Sequence, residues 1–235
     1  MSDNGTTLYR YRNAVGGFFD FPVEQARAIL PKDLHPVELH HGSAILSVMA
    51  FDFTESEVGA YKELILGILV SPRVEPGTAM PHSAFYPYLL GTTTTASREH
   101  AIERWHLPHF MKDIGMSMEV EGEGSDRERL VVKAWDEGTP IAELTITSHG
   151  WRQAEQNHQS FMRDDEGTFL AQINMAGGLS ENEEEAGRLK LFPHPMTDPI
   201  GDLDEVNELP LREIWMRDGV QTFQPLRVLS QAAGV

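Results

Sequence analysis

Hydrophobic and polar positions in this chain alternate more often than they recur at helical spacing, so strands outnumber helices. The first helical stretch is DFPVEQARAILP (Asp20–Pro31), where Val23, Ala26, Ile29 and Leu30 fall on one face. Asp20 is its candidate N-cap, Pro22 suits the first turn and Pro31 ends it. A second helix is predicted over Ser97–Trp105, with Ala101, Ile102 and Trp105 on one face and Pro108 just beyond. The other patterned stretches read as strands: Ser43–Phe53, Glu63–Val70, Ala84–Leu90, Ile114–Val120, Leu130–Trp135, Ile141–Thr147, Lys190–Phe192 and Glu213–Val228. Pro72 and Pro87 should bend strand ends or sit at edges, and Asp136-Glu137-Gly138 is a hairpin signal. With no strand–helix–strand alternation, this predicts a mainly β (α+β) fold, largely antiparallel, closed or stacked, with a few peripheral helices. The polar run Glu181–Gly187 reads as a solvated loop, and nothing resembles a linker or a repeat, so residues 1–235 are expected to form a single domain.

Charge narrows the partners. Nineteen Lys and Arg against 36 Asp and Glu give a net charge of -17, which argues against nucleic acid and anionic membrane surfaces as partners. The absence of cysteine excludes disulfides, thiolate metal ligands and cysteine nucleophiles. The longest apolar run, within Leu64–Val70, is a strand's worth, and the first residues lack the basic-then-apolar order of a secretory signal. A cytoplasmic protein acting on small molecules is the expectation.

Common catalytic motifs are missing: no phosphate loop, dinucleotide fingerprint, nucleophile elbow or zinc-binding HExxH helix. His82, His100, His106 and His109 cluster with Glu99, Glu103 and Lys112. His106 and His109 with Glu103 or Glu63 have the chemistry of metal ligands, but Pro108 breaks the helical geometry between them. No metal site and no cofactor are assigned. Glu63 matters more, because it interrupts the apolar stretch YKELILGILV. On an inner strand face it must pair with a cation or stay protonated, which makes it a candidate acid/base; on the outer face it is an ordinary surface residue. The pattern leaves both open.

Three segments, AYKELILGILV (Ala60–Val70), SREHAIERWHLPHF (Ser97–Phe110) and RLKLFPHPMTDPIGDLDEVNELPLREI (Arg188–Ile214), resemble in order the signature stretches of the acetoacetate decarboxylase family. The first is similar to its Tyr-x-Glu strand, the second to its Arg-Glu…Pro-Lys-Lys segment, and the third to its Leu-x-Leu-Phe…His…Leu-Pro-x-x-Glu-Ile stretch. The resemblance implies an antiparallel β-cone or barrel around a small apolar cavity, assembled as a homo-oligomer. It also implies a Schiff-base lysine activated by a second lysine, a glutamate on the Tyr-x-Glu strand and an arginine near the N-terminus. The glutamate falls on Glu63 and the arginine on Arg12. The lysine pair is lost, because His109-Phe110 follows Pro108. Arg98, Glu99 and His194 also match the family and are expected to brace the structure.

An imidazole forms no iminium, so this resemblance implies proton transfer in place of covalent catalysis. His109 and Glu63 become the catalytic pair and Arg12 the anchor for a carboxylate or enolate. Tyr61, Phe85, Tyr88, Trp105, Phe110 and Lys112 are the expected substrate-binding residues. The predicted activity is that of a lyase, isomerase or cyclase on a small β-keto or polyketide-like carbonyl compound, by enolisation, dehydration, an aldol-type step or cyclisation, as in secondary metabolism. Two other readings stay open: decarboxylation of a β-keto acid with Lys112 or Lys62 as the amine, and a non-catalytic protein that binds a small molecule.

Overall fold

The computed structural model describes residues 5–39, 42–74, 76–77 and 80–231. Its first element is a strand, β1 (Thr7–Pro22), in which Thr7, Tyr9 and Tyr11 are buried while Leu8, Arg10 and Arg12 are exposed. The strand pairs antiparallel with β2 (Ser43–Glu55) on one side and β11 (Pro210–Phe223) on the other. The sheet continues through β3 (Tyr61–Leu69), β4 (Ser83–Thr92), β8 (Arg152–Asp164) and β9 (Gly167–Asn182). Because β9 also pairs with β11, these seven strands close into a barrel. All pairings around it are antiparallel except a short parallel contact, Ser83–Phe85 against His158–Ser160. A last strand, β12 (Arg227–Gln231), adds to β9.

A second, four-stranded sheet lies against the barrel: β5 (Gly115–Glu121), β6 (Arg129–Asp136), β7 (Thr139–Thr147) and β10 (Arg188–Leu191). Leu64, Leu66 and Ile68 of β3 join Leu130, Val132, Ile141, Leu144 and Ile146 in one apolar cluster between the layers. At about 25 cal/mol per Å² of apolar surface removed from water, this cluster is the main source of stability. The predicted mainly β barrel with peripheral helices is the fold observed.

Several boundaries differ from the sequence reading. The first helix, α1, is only Val23–Ile29; residues 20–22 still belong to β1, and no side chain caps the helix. The register with β2 runs through Asp20 to Pro22, so sheet pairing overrides the capping signal. The second helix, α2, is Thr95–Trp105, and its cap is Thr94, whose side chain accepts from the Ser97 N–H at 3.2 Å. The predicted strand Glu213–Val228 is two strands, β11 and β12. Glu181 and Asn182, expected in a loop, end β9. Strands β1, β8 and β9 were not predicted from the pattern. None of the described helices is long and apolar enough to cross a membrane.

Candidate active site

Inside the barrel is a cavity of about 110 Å³ to which all seven barrel strands and the end of α2 contribute residues. Most of its wall is apolar, including Phe18, Met49, Phe51, Ile65, Met175 and Met216. Five side chains interrupt that wall with polar groups: Glu63, Gln156, His158, Ser160 and Gln221.

Glu63 reaches the cavity because residues alternate along β3. Leu64, Leu66 and Ile68 enter the core between the layers, and Glu63 and Ile65 take the opposite face. The residue is 7% exposed, and none of the described residues donates a hydrogen bond to its carboxyl group. Burial therefore pushes its pKa from 4.5 up to about 8, so most of the population is protonated at neutral pH. Aromatic residues surround it. Trp105 Nε1 donates to the Tyr9 hydroxyl at 2.9 Å, leaving that hydroxyl to donate to His100 Nε2 at 2.7 Å. Tyr61 packs on Phe53 in the same cluster.

His158 comes from β8. Its Nδ1 lies 2.7 Å from the Ser83 hydroxyl, and its Nε2 has no hydrogen-bond partner among the described residues. Burial, and then the repulsion that Arg212 and a charged His82 would add, pushes its pKa down to about 4 and keeps the ring neutral. Gln156 and Gln221 each hold a buried side-chain oxygen without a partner. Two such amides on one cavity wall are a surface prepared for a polar ligand.

Of the residues expected from the sequence, Glu63, Phe85 and Trp105 line the cavity. His109 does not. Its Nδ1 donates to the Phe110 carbonyl at 2.5 Å, since a carbonyl only accepts; Nε2 then takes the Thr92 hydroxyl at 3.1 Å. Both ring nitrogens are committed, and the residue docks by a bridge onto Leu90 of β4, as part of a segment that covers the strand's edge. Arg12 lies on the exposed side of β1, 3.7 Å from Asp52, because odd-numbered tyrosines take the inward positions there. Lys112 is half-exposed and held by Asp136 at 3.1 Å, and Lys62 faces Asp52 at 3.8 Å. No lysine is among the cavity-lining residues. Tyr61, Tyr88 and Phe110 are packed into apolar clusters behind the wall. Arg98, by contrast, braces α2 as expected, 2.5 Å from Asp113, and His194 Nδ1 accepts from the Met196 N–H at 3.1 Å. His106 pairs with Asp164 and stacks on Phe169.

His158, Gln156, Ser160 and Gln221 were missed. The one signal for the first three was their even spacing on a polar stretch, RQAEQNHQSFMRD, which has the strand period but not the apolar residues that usually mark it.

A sequence search against curated proteins finds no match. Among solved structures, an acetoacetate decarboxylase superposes with a TM-score of 0.65 at 15% identity, over 98% of this chain and 91% of that one. The enduracididine biosynthesis enzyme MppR, in complex with the condensation product of pyruvate and imidazole 4-carboxaldehyde, gives 0.61 at 14% identity over 95% and 89%. An acetoacetate decarboxylase-like enzyme from Sphingomonas wittichii RW1 gives 0.62 at 12% over 97% and 94%. At these identities the structural likeness establishes the fold. The sequence model of one family, acetoacetate decarboxylase, matches residues 4–222, almost the whole length, and the chain belongs to that family.

Proposed function

We propose that this protein is an enzyme that moves a proton at the carbon beside a carbonyl group of a small, largely apolar compound, without forming a covalent bond to it. Glu63 supports this reading most strongly: a carboxyl group with no hydrogen-bond partner among the described residues, buried in the wall of a cavity. Its raised pKa makes the carboxylate a stronger base than an ordinary glutamate and brings it close to working pH, where proton transfer is most effective. Once protonated, the same group returns the proton to the enolate. The neutral His158 ring, with Nε2 available, is the second polar contact and can donate to the carbonyl oxygen as negative charge builds there.

Enolisation of this kind underlies dehydration, aldol-type and cyclisation reactions, any of which suits a β-keto or polyketide-like substrate. That one relative of the same fold holds a pyruvate condensation product favours an aldol-type step. The test is deuterium incorporation at the α-carbon of a panel of β-dicarbonyl compounds and methyl ketones, followed by NMR. Wild-type protein should accelerate exchange and Glu63→Gln should not. Borohydride with acetoacetate or pyruvate should leave no mass adduct on any lysine. An adduct would restore the Schiff-base mechanism, and no exchange with any carbonyl would leave a binding protein.

A further inference from the structure

Glu63 marks one level of the barrel, and β11 shows how far another charged cluster lies from it. The ladder row through Glu63 runs to Phe51 of β2, Ala14 of β1 and Met216 of β11. Four residues away along β11, at about 3.3 Å per residue, is Arg212, directly across from the cavity-lining Phe18 and two positions from the cavity-lining Ile214. Arg212 thus occupies an inward-facing position near the rim, about 13 Å along the strand from Glu63.

The groups around Arg212 connect it to the cavity. Its Nη2 is 3.3 Å from His82 Nε2, which is also 3.4 Å from the amide nitrogen of the cavity-lining Gln156. The His82 ring packs edge-on against His158 with centroids 5.7 Å apart. Among the described residues Glu181 is the one carboxylate paired with this cluster, and two guanidiniums share it: Arg212, and Arg152 at 3.3 Å. One positive charge is left over, in a chain whose net charge is -17. Arg212 Nε is buried with no partner among the described residues, and so is Gln156 Oε1. A guanidinium with an unused N–H beside the edge already bonded to Glu181 is an incomplete fork, and carboxylates complete such forks.

We propose that Arg212, supported by His82 and Gln156, anchors a carboxylate at the far end of the substrate from the carbon that reacts at Glu63. The substrate is then a keto acid whose carbonyl and carboxylate are separated by an apolar chain running along the cavity wall. The inference rests on the barrel cavity being the substrate site, and it replaces Arg12 of β1 by a residue on the neighbouring strand β11.

A homologous series of methyl-ketone acids, 4-oxopentanoate to 8-oxononanoate, and their methyl esters would be titrated against the full chain, with binding read from tryptophan fluorescence and calorimetry. At the best chain length the acid should bind at least about tenfold more tightly than its ester, the effect of one charge-assisted pair. Arg212→Gln should abolish that preference and leave ester affinity unchanged. Glu181→Gln, which frees both guanidiniums, should strengthen acid binding and keeps the proposal testable if the arginine variant does not fold. Equal binding of acid and ester, an unchanged preference in Arg212→Gln, or no binding of any member would overturn it. Glu63→Gln should leave the acid preference intact; if α-proton exchange fails while the preference holds, the anchor stands and the reaction falls.

Discussion

Two glutamates in this protein are both buried and do opposite things. Glu213, on β11, is 0% exposed and accepts four hydrogen bonds: Thr147 N–H at 2.7 Å, Thr147 hydroxyl at 3.1 Å, Ala186 N–H at 3.2 Å and Gly187 N–H at 2.9 Å. Those donors replace the water that the carboxylate lost, and they tie β7 and the turn before β10 onto the barrel. Gly187 makes room for this, since a Cβ there would lie 2.5 Å from Glu213 Oε2. Glu63, 7% exposed, receives no such donors from the described residues and faces a cavity. Burial has been compensated at one carboxyl and left uncompensated at the other, and the second kind of site is where chemistry is expected.

The widest contrast should appear in catalysis. Glu63→Gln is expected to lower α-proton exchange by on the order of 10²–10⁴-fold, the range for loss of a general base, while keeping the barrel folded. A variant that retains full exchange would end the proposed role of Glu63. Stability should show the reverse ranking. Glu213→Ala strands several buried backbone N–H groups and should cost about 3 kcal/mol or more in urea denaturation, whereas Glu63→Gln at pH 8 should be neutral or stabilising. Equal losses from both would mean that the two carboxyls are not differently satisfied.

Titration sharpens the same contrast. The folded-state pKa of Glu63 is raised, so its contribution to stability is complete below pH 4.5 and is lost as pH rises through about 8. Between those values the wild type should lose stability relative to Glu63→Gln at about 1.4 kcal/mol per pH unit. Over the same interval the exchange rate should rise with pH and level off above about 8, as the basic form accumulates. A rate already flat from pH 6 upward would place the base elsewhere. The smallest effect is expected outside the barrel: Lys112→Ala breaks a half-exposed pair with Asp136 and should change stability by less than about 1 kcal/mol and the exchange rate not at all.

How much of this was legible depended on what each strand buries. Strands of the outer layers and core, such as β2, β3, β6 and β7, carry apolar residues at the strand period and could be read directly. β8 could not, because its cavity-facing positions are Gln156, His158 and Ser160. The residues that make it functional also remove its hydrophobic signature. β9 was obscured by Gly177 and Gly178. Gly177 is required by close approach, since a Cβ there would meet the Arg217 carbonyl at 2.9 Å and the Tyr11 hydroxyl at 3.1 Å. His109 misled for a related reason. Its position after Pro108 matches a family lysine, but residue order carries no information about which way a ring turns once Thr92 and Phe110 offer it partners.

Alternation, turn signals and the order of three short motifs were sufficient to specify a β barrel of this family and to single out Glu63, because strand periodicity and turn chemistry are local properties. The inward side of each strand, and therefore the company Glu63 keeps, was decided only when β9 closed on β11. Closure brings His158 of β8 and Ile214 of β11 to the same cavity from distant parts of the chain. It also turns Arg12 outward. Side-chain direction flips with every residue along a strand, so a shift of one position in register exchanges cavity for surface, and that register is fixed by neighbouring strands far away in sequence.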